Sequence, residues 1–275
     1  MSLYAYAVID SAGAIDPVPG LFGAPAYSVS YRQIGVVVSD LGIHRSSFFV
    51  HRSLRGAERA LEHSAVTDSL MADFTVLPIR FGTVFPSSDD LIVKAEECYA
   101  DFCSNLKRLR GKVEFGLRVI WPGEAIRRQL EAETRNADGI QHSPTSVSRE
   151  FLDAKLVRYR CERTFEQRAE QEIAAIDHAF HRSVAEKRYE RLQTPNLLLS
   201  AYYLVERVLA GDFRAAYERL RRARSDLKYL ISGPWPPYSF CHIPAAEINR
   251  SSPIWPTGAN RCQHPQQLVP STQQL

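Results

Sequence analysis

The eight residues Gly233 to Phe240, Gly-Pro-Trp-Pro-Pro-Tyr-Ser-Phe, constrain this chain more than any other stretch. Pro234, Pro236 and Pro237 each hold φ near the polyproline value and remove a backbone N–H, which excludes an α-helix and leaves an extended run. Leu227 to Ser232 leads into it as a strand. Trp235, Tyr238 and Phe240 supply the large apolar surface of the run, so the segment must lie against something that accepts aromatic rings. Two roles fit: a rigid staple that ties the last strand to its own domain, and a docking epitope. A ring set directly after a strand stays close to its own sheet. That assigns Trp235 to the staple and gives Tyr238 and Phe240 an exposed, partner-facing role.

The rest of the chain reads as α+β. Leu3 to Ile9 alternates aromatic and small apolar residues and forms a first strand. Tyr27–Arg32 and Ile34–Ser39 form a hairpin whose second strand, with Val36, Val37 and Val38 in succession, must be buried. Apolar residues between Gly56 and Asp73 recur at helical spacing. Thr75 to Arg80 is a strand in which Pro78 requires an edge or a bulge. Asp89 and Asp90 open a helix that runs to Leu109 and stops at Gly111. Leu77, Phe81 and Phe85 are expected to be buried where the sheet meets this helix.

Lys112 to Trp121 alternates strictly enough to predict a half-buried strand, with Glu114, Gly116 and Arg118 facing solvent. Glu124 to Glu133 is helical. From Ser143-Pro144 a long helix carries Val147, Phe151, Ala154, Val157, Cys161, Phe165, Ala169, Ile173, Ile176, Phe180 and Val184 on one stripe of roughly 55 Å. One small sheet cannot cover that length, so part of the stripe must meet other helices or another chain. Thr194-Pro195 ends the helix, Asn196 to Val208 is a central strand, and Phe213 to Arg224 is a helix with Arg214, Arg221, Arg222 and Arg224 outside its apolar side. The predicted organisation is two α+β domains, 1–110 and 111–240, each a mixed or antiparallel sheet packed with helices in a modified ferredoxin-like way, with the long helix in the second. The segment 241–275 is rich in Pro, Gln and Ser and is expected to be a disordered tail.

Charge and motifs narrow the function by exclusion. The 34 basic and 31 acidic side chains leave a formal charge of +3, too even a balance to call for nucleic acid or an anionic membrane. No signal pattern opens the chain, and no apolar run approaches the ~20 residues of a membrane span, so a cytoplasmic protein is expected. Five cysteines at unrelated spacings argue against a disulfide framework. Cys241, His242, Cys262 and His264 lack the paired spacing of a zinc module, and His178 with His181 lies on the polar side of the long helix as a solvated pair. Catalytic signatures such as a phosphate loop or a nucleophile elbow are missing, and no cofactor is expected. The alternative to an interaction protein is a small-molecule-binding or enzymatic α+β protein, which would show a deep apolar cavity with convergent polar groups. Arg80, between Ile79 and Phe81, either ties its strand to the following helix or contacts a partner.

Two stretches carry a resemblance to a known family. Val76-Leu77-Pro78-Ile79-Arg80-Phe81-Gly82-Thr83-Val84-Phe85 resembles the central motif, and Tyr229 through Phe240 the closing motif, of the gas vesicle proteins of the F/L type. The similarity covers Leu3 to about Phe240 and places a histidine near His63, which spacing alone makes a helix-face residue. The resemblance implies a minor structural or assembly protein of the gas-filled shell. Its implied partners are the small hydrophobic main shell protein and other accessory proteins, with no cofactor, nucleic acid or lipid membrane. Arg80, Phe81, Trp235, Tyr238 and Phe240 are the candidate contact residues.

Overall fold

The computed structural model describes residues 1–41, 55–137, 147–190 and 194–241. The expected tail, with Cys262, His264 and Trp255, lies outside the described residues, as does His242. By contact the chain divides into two compact units. One comprises Met1–Glu114 and the described residues from Pro234 on; the other comprises Phe115–Gly233.

In the first unit β1 (Ser2–Ile9) is the organising strand, and every residue from Leu3 to Ile9 is buried. The short β2 (Val18–Pro19) leads to the hairpin β3 (Pro25–Tyr31) and β4 (Ile34–Leu41). Helix α1 (Arg55–Leu70) is followed by β5 (Val76–Pro78) and β6 (Val84–Phe85). The sheet order is β2-β3-β4-β1-β5, and β6 also pairs with β1. Strand β1 runs antiparallel to β4 on one side and to β5 and β6 on the other. Pro78 therefore sits on an edge strand, where its missing N–H leaves no ladder bond unmade.

The single long helix expected after Asp89 is two. Helix α2 (Ser88–Glu97) starts at a Ser87 cap, whose Oγ accepts from Asp90 N at 3.2 Å, and α3 (Tyr99–Leu109) follows after a break at Cys98, φ −99° and ψ 6°. That bridge conformation turns the chain without Gly or Pro, so no residue type announced it.

In the second unit β7 (Lys112–Ile120) is followed by α4 (Gly123–Ala137), α5 (Val147–Phe180), β8 (Val184–Tyr189) and β9 (Leu197–Glu206). Helix α6 (Ala210–Ala223) and β10 (Lys228–Trp235) complete it. The order β10-β7-β9-β8 is the βαββαβ arrangement of ferredoxin-like sheets. Phe115, Phe180, Tyr203 and Phe213 stack as its aromatic core, with Phe180 and Phe213 centroids 4.6 Å apart.

Two expectations need correction here. The long helix ends at Phe180, and Val184 begins β8, an edge strand antiparallel to β9. Edge strands carry charge, as Glu186, Lys187 and Arg188 do here, so this one escaped a search for apolar alternation. Strand β7 is also not half-buried: Glu114 and Gly116 are buried along with the apolar positions.

Candidate functional site

The central motif, and the closing motif from Pro234 on, fold onto the first unit, on the buried face of α1. Ala60, His63, Ser64, Val66, Thr67 and Leu70 line that face, and half of them are polar. A search for apolar period alone passes over such a face.

The central motif leaves the edge of β1 and returns to it. Ile79 N donates to Tyr6 O at 2.8 Å and Ala5 N to Thr83 O at 3.0 Å, beside an irregularity of the β1–β4 register between Ala5 and Ala7. Between these bonds Arg80, Phe81, Gly82 and Thr83 make a tight turn, closed by Thr83 N and Oγ1 on the Arg80 carbonyl at 3.2 and 2.6 Å. Gly82, third in the turn, has φ +90°, a conformation that a Cβ disfavours and that type II turns require. Its N–H donates to Tyr4 Oη at 3.1 Å.

Tyr4 Oη also lies 2.9 Å from His63 Nδ1. With Tyr4 accepting from Gly82 and donating to Nδ1, both halves of the hydroxyl are used and the ring hydrogen falls on Nε2. His63 stacks on Tyr6 with centroids 5.5 Å apart and meets Tyr4 and Phe81 edge-on at 5.7 Å each. Burial lowers its pKa to about 3, and the Ile79 backbone offsets only part of that, so the imidazole is neutral. Burial likewise raises the phenols of Tyr4 and Tyr6. His63 lies on a helix face as its spacing predicts, and that face is the buried one of α1. Its ring is the hub of an aromatic cluster.

The closing motif is seated one helical turn further along α1. Thr67 Oγ1 and Tyr238 Oη are 2.7 Å apart, while Thr67 Oγ1 donates to Ser64 O at 2.8 Å. Glu114 receives both Ser239 N and Ser239 Oγ at 2.7 Å. The Arg108 guanidinium donates to the Phe240 carbonyl, and Cys241 Sγ to the Pro237 carbonyl at 3.1 Å. The run is extended only to Trp235; Tyr238 to Phe240 form one 3-10 turn. Gly233, at φ +106°, opens the motif in a conformation that a Cβ disfavours.

Tyr238 and Phe240, expected to be exposed, are fully buried, whereas Trp235 is half-buried. A short turn after the prolines swings both rings inward, a reversal that an extended chain would not make. Leu77 is buried as expected; Phe81 and Phe85 are half-buried. Arg80 is also half-buried, and among the described residues its guanidinium has no hydrogen-bond or ion partner, so the expected tie to the next helix is not formed.

A family model described as gas vesicle synthesis protein GvpL/GvpF matches residues 2–242. The chain belongs to the GvpL/GvpF family. Gas vesicle protein F2 of Halobacterium salinarum is 28% identical over 246 residues, 88% of this chain and 92% of that protein. Gas vesicle protein L of a Streptomyces species is 27% identical over 202 residues, covering 71% of this chain and 73% of its own. The crystal structure of GvpF from Anabaena superposes with a TM-score of 0.75 at 18% identity, over 88% of this chain and 99% of that one. GvpF from Microcystis aeruginosa gives 0.72 at 16%, with the same coverage. These structural likenesses show the α+β fold.

For this GvpL/GvpF chain the second unit carries the unspent surface. Phe151, Leu152, Leu156 and Tyr159 on α5 are 61%, 59%, 51% and 64% exposed. Helical period puts Leu152, Leu156 and Tyr159 on the side opposite the buried Val157 and Cys161. Phe151, expected on the buried stripe, is a correction: the stripe drifts around so long a helix, and its first turns have apolar residues on two sides. Three arginines of the α6 region have partners within the unit. Arg224 pairs with Glu172 and Asp226, Arg221 with Glu218, and Arg214 donates to Gly233 O at 2.6 Å. His178 and His181 are exposed and stacked 4.8 Å apart. Among the described residues no group of three or more His, Cys, Asp or Glu side chains could hold a metal, and no helix is long and apolar enough to cross a membrane.

Proposed function

We propose that this chain is a minor structural or assembly protein of the gas vesicle, acting in the cytoplasm where the shell is built, and that it binds the small hydrophobic main shell protein. The observation that carries the reading, beyond family membership, is the exposed apolar row on α5. A shell subunit that is largely apolar must have its surface covered before it is incorporated, and a rigid helix face bearing large side chains covers it without ordering a loop. Buried polar groups in the first unit hold the motif segments rigid; the exposed row in the second does the binding. Arg80, Phe81 and Trp235 form a second candidate contact set, since a half-buried guanidinium lacking a described partner gains a charge-assisted bond on association. Tyr238 and Phe240 then contribute by anchoring the closing segment.

The test is recovery of the chain with flotation-isolated vesicles and with the tagged shell protein during assembly. Recovery in either fraction, reduced by Leu152→Asp on α5 at unchanged melting temperature, is the expected result. Absence from both vesicles and assembly intermediates overturns the reading.

A further inference from the structure

The chemistry around the α5 row specifies its occupant more closely than apolarity does. The row forms a shallow, open groove on the surface of α5 alone, lined by Leu152, Lys155, Leu156, Arg158, Tyr159 and Glu162. Glu162 is already paired: Arg127 on α4 donates to it at 3.0 Å, and the Arg127 guanidinium also sits over the Phe165 ring. Lys155 and Arg158 have no carboxylate among the described residues; Lys155 stands 5.0 Å over the exposed Phe151 ring. The groove is therefore an apolar floor with two uncompensated cations on its rim. From Leu152 to Glu162 it spans nearly three helical turns, roughly 15 Å.

We propose that this groove takes an amphipathic helix whose apolar face is flanked by carboxylates. Apolar side chains at i, i+3 or i+4, and i+7 would seat between Leu152, Leu156 and Tyr159, and the flanking acids would meet Lys155 and Arg158, setting register and orientation. A second copy of this chain is a poorer occupant. Its row carries the same two cations, and its Glu162 is held by Arg127. The inference rests on the shell-binding reading only for who supplies the helix.

The probes are two synthetic helical peptides about five turns long with the same leucine face, one flanked by Glu and one by Lys. Each is titrated by fluorescence anisotropy against the full chain at low and high salt. Preference for the Glu-flanked peptide by about tenfold or more, shrinking at high salt, is expected. Lys155→Glu with Arg158→Glu should reverse it, and Leu156→Asp should abolish binding of both peptides while circular dichroism and melting stay unchanged. Equal affinity for the two peptides overturns the proposal, as does binding that Leu156→Asp leaves intact. A doubled mass in sedimentation that Leu156→Asp halves also overturns it, in favour of self-pairing. Should Leu156→Asp fail to fold, the charge reversal at the exposed rim decides alone. Running the same variants against the shell protein separates the two claims. Shell binding untouched by charge reversal removes the groove and keeps the function; peptide preference without any shell binding keeps the groove and removes the function.

Discussion

Helix α1 of the first unit and the opening turns of α5 in the second break the inside–outside rule in opposite directions. Helix α1 hides His63, Ser64 and Thr67, all but completely inaccessible; α5 shows water Phe151, Leu152, Leu156 and Tyr159. The difference is one of partners. His63 Nδ1 and Thr67 Oγ1 meet Tyr4, the Ser64 carbonyl and Tyr238 within the same unit, which offsets much of their burial cost although His63 Nε2 has no hydrogen-bond partner among the described residues, and these bonds specify one arrangement of the two motif segments. The apolar groups of α5 find no such complement among the described residues and leave their apolar area open to water.

The comparison can be broken most decisively at Glu114. Replacing it with alanine removes two charge-assisted bonds from Ser239 and leaves its half-buried N–H and hydroxyl without that acceptor. A loss of about 3 kcal/mol in urea unfolding is expected. A loss below about 1 kcal/mol would mean the closing segment is held by its rings alone.

Acid titration is the next test. His63 is neutral when folded, its pKa lowered to about 3, and ordinary near 6.5 when unfolded. Below pH 6.5 the unfolded chain binds the extra proton, so stability is intact above that pH and falls by up to about 1.4 kcal/mol per pH unit on the way toward pH 3. Asp68 opposes this: burial raises its carboxyl to about 6, so between pH 6 and its ordinary 3.8 the folded form gains relative stability on acidification. Comparison with His63→Phe isolates the histidine, since the variant should lose the downward slope and keep the Asp68 contribution. Parallel profiles for the two proteins would show that His63 is protonated in the fold.

Tyr238→Phe is subtler. It removes one hydroxyl while Thr67 keeps its bond to the Ser64 carbonyl, for an expected cost of about 1 kcal/mol by the same unfolding assay. The smallest effect belongs to α5. Leu156→Gln should change stability by no more than about 0.5 kcal/mol, since the side chain already faces water. A larger loss would show that the row is covered in the free protein and would end the contrast with α1.

Much of the architecture was legible because periodicity reports burial directly. The unbroken apolar β1 and β4, the hairpin between β3 and β4, and the Gly111 stop all follow from local rules. Three features did not. Strand β8 is a charged edge, α2 and α3 part at a cysteine with no breaker residue, and Phe151 turns outward because a stripe drifts along 34 residues of helix. The candidate site was visible as two motifs but not as one construction. Glu114 reads as solvent-facing and His63 only as a helix-face residue from their neighbours along the chain, and Thr67 carries no local signal, because their partners Ser239, Tyr4 and Tyr238 lie 125, 59 and 171 positions away in sequence. A single signal hinted at the histidine, its place in the family pattern.

By itself, then, the sequence determined where backbone freedom is lost. Prolines 234, 236 and 237 exclude a helix, Gly82 and Gly233 permit positive φ, and the alternation of β7 makes a strand, because these are properties of a residue and its neighbours along the chain. What those segments touch follows from how distant elements pack on one another. Whether Tyr238 points to water or to Thr67, and whether Leu156 is core or surface, depends on which distant groups arrive to satisfy or cover them, and burial and hydrogen bonding are settled between elements rather than within one.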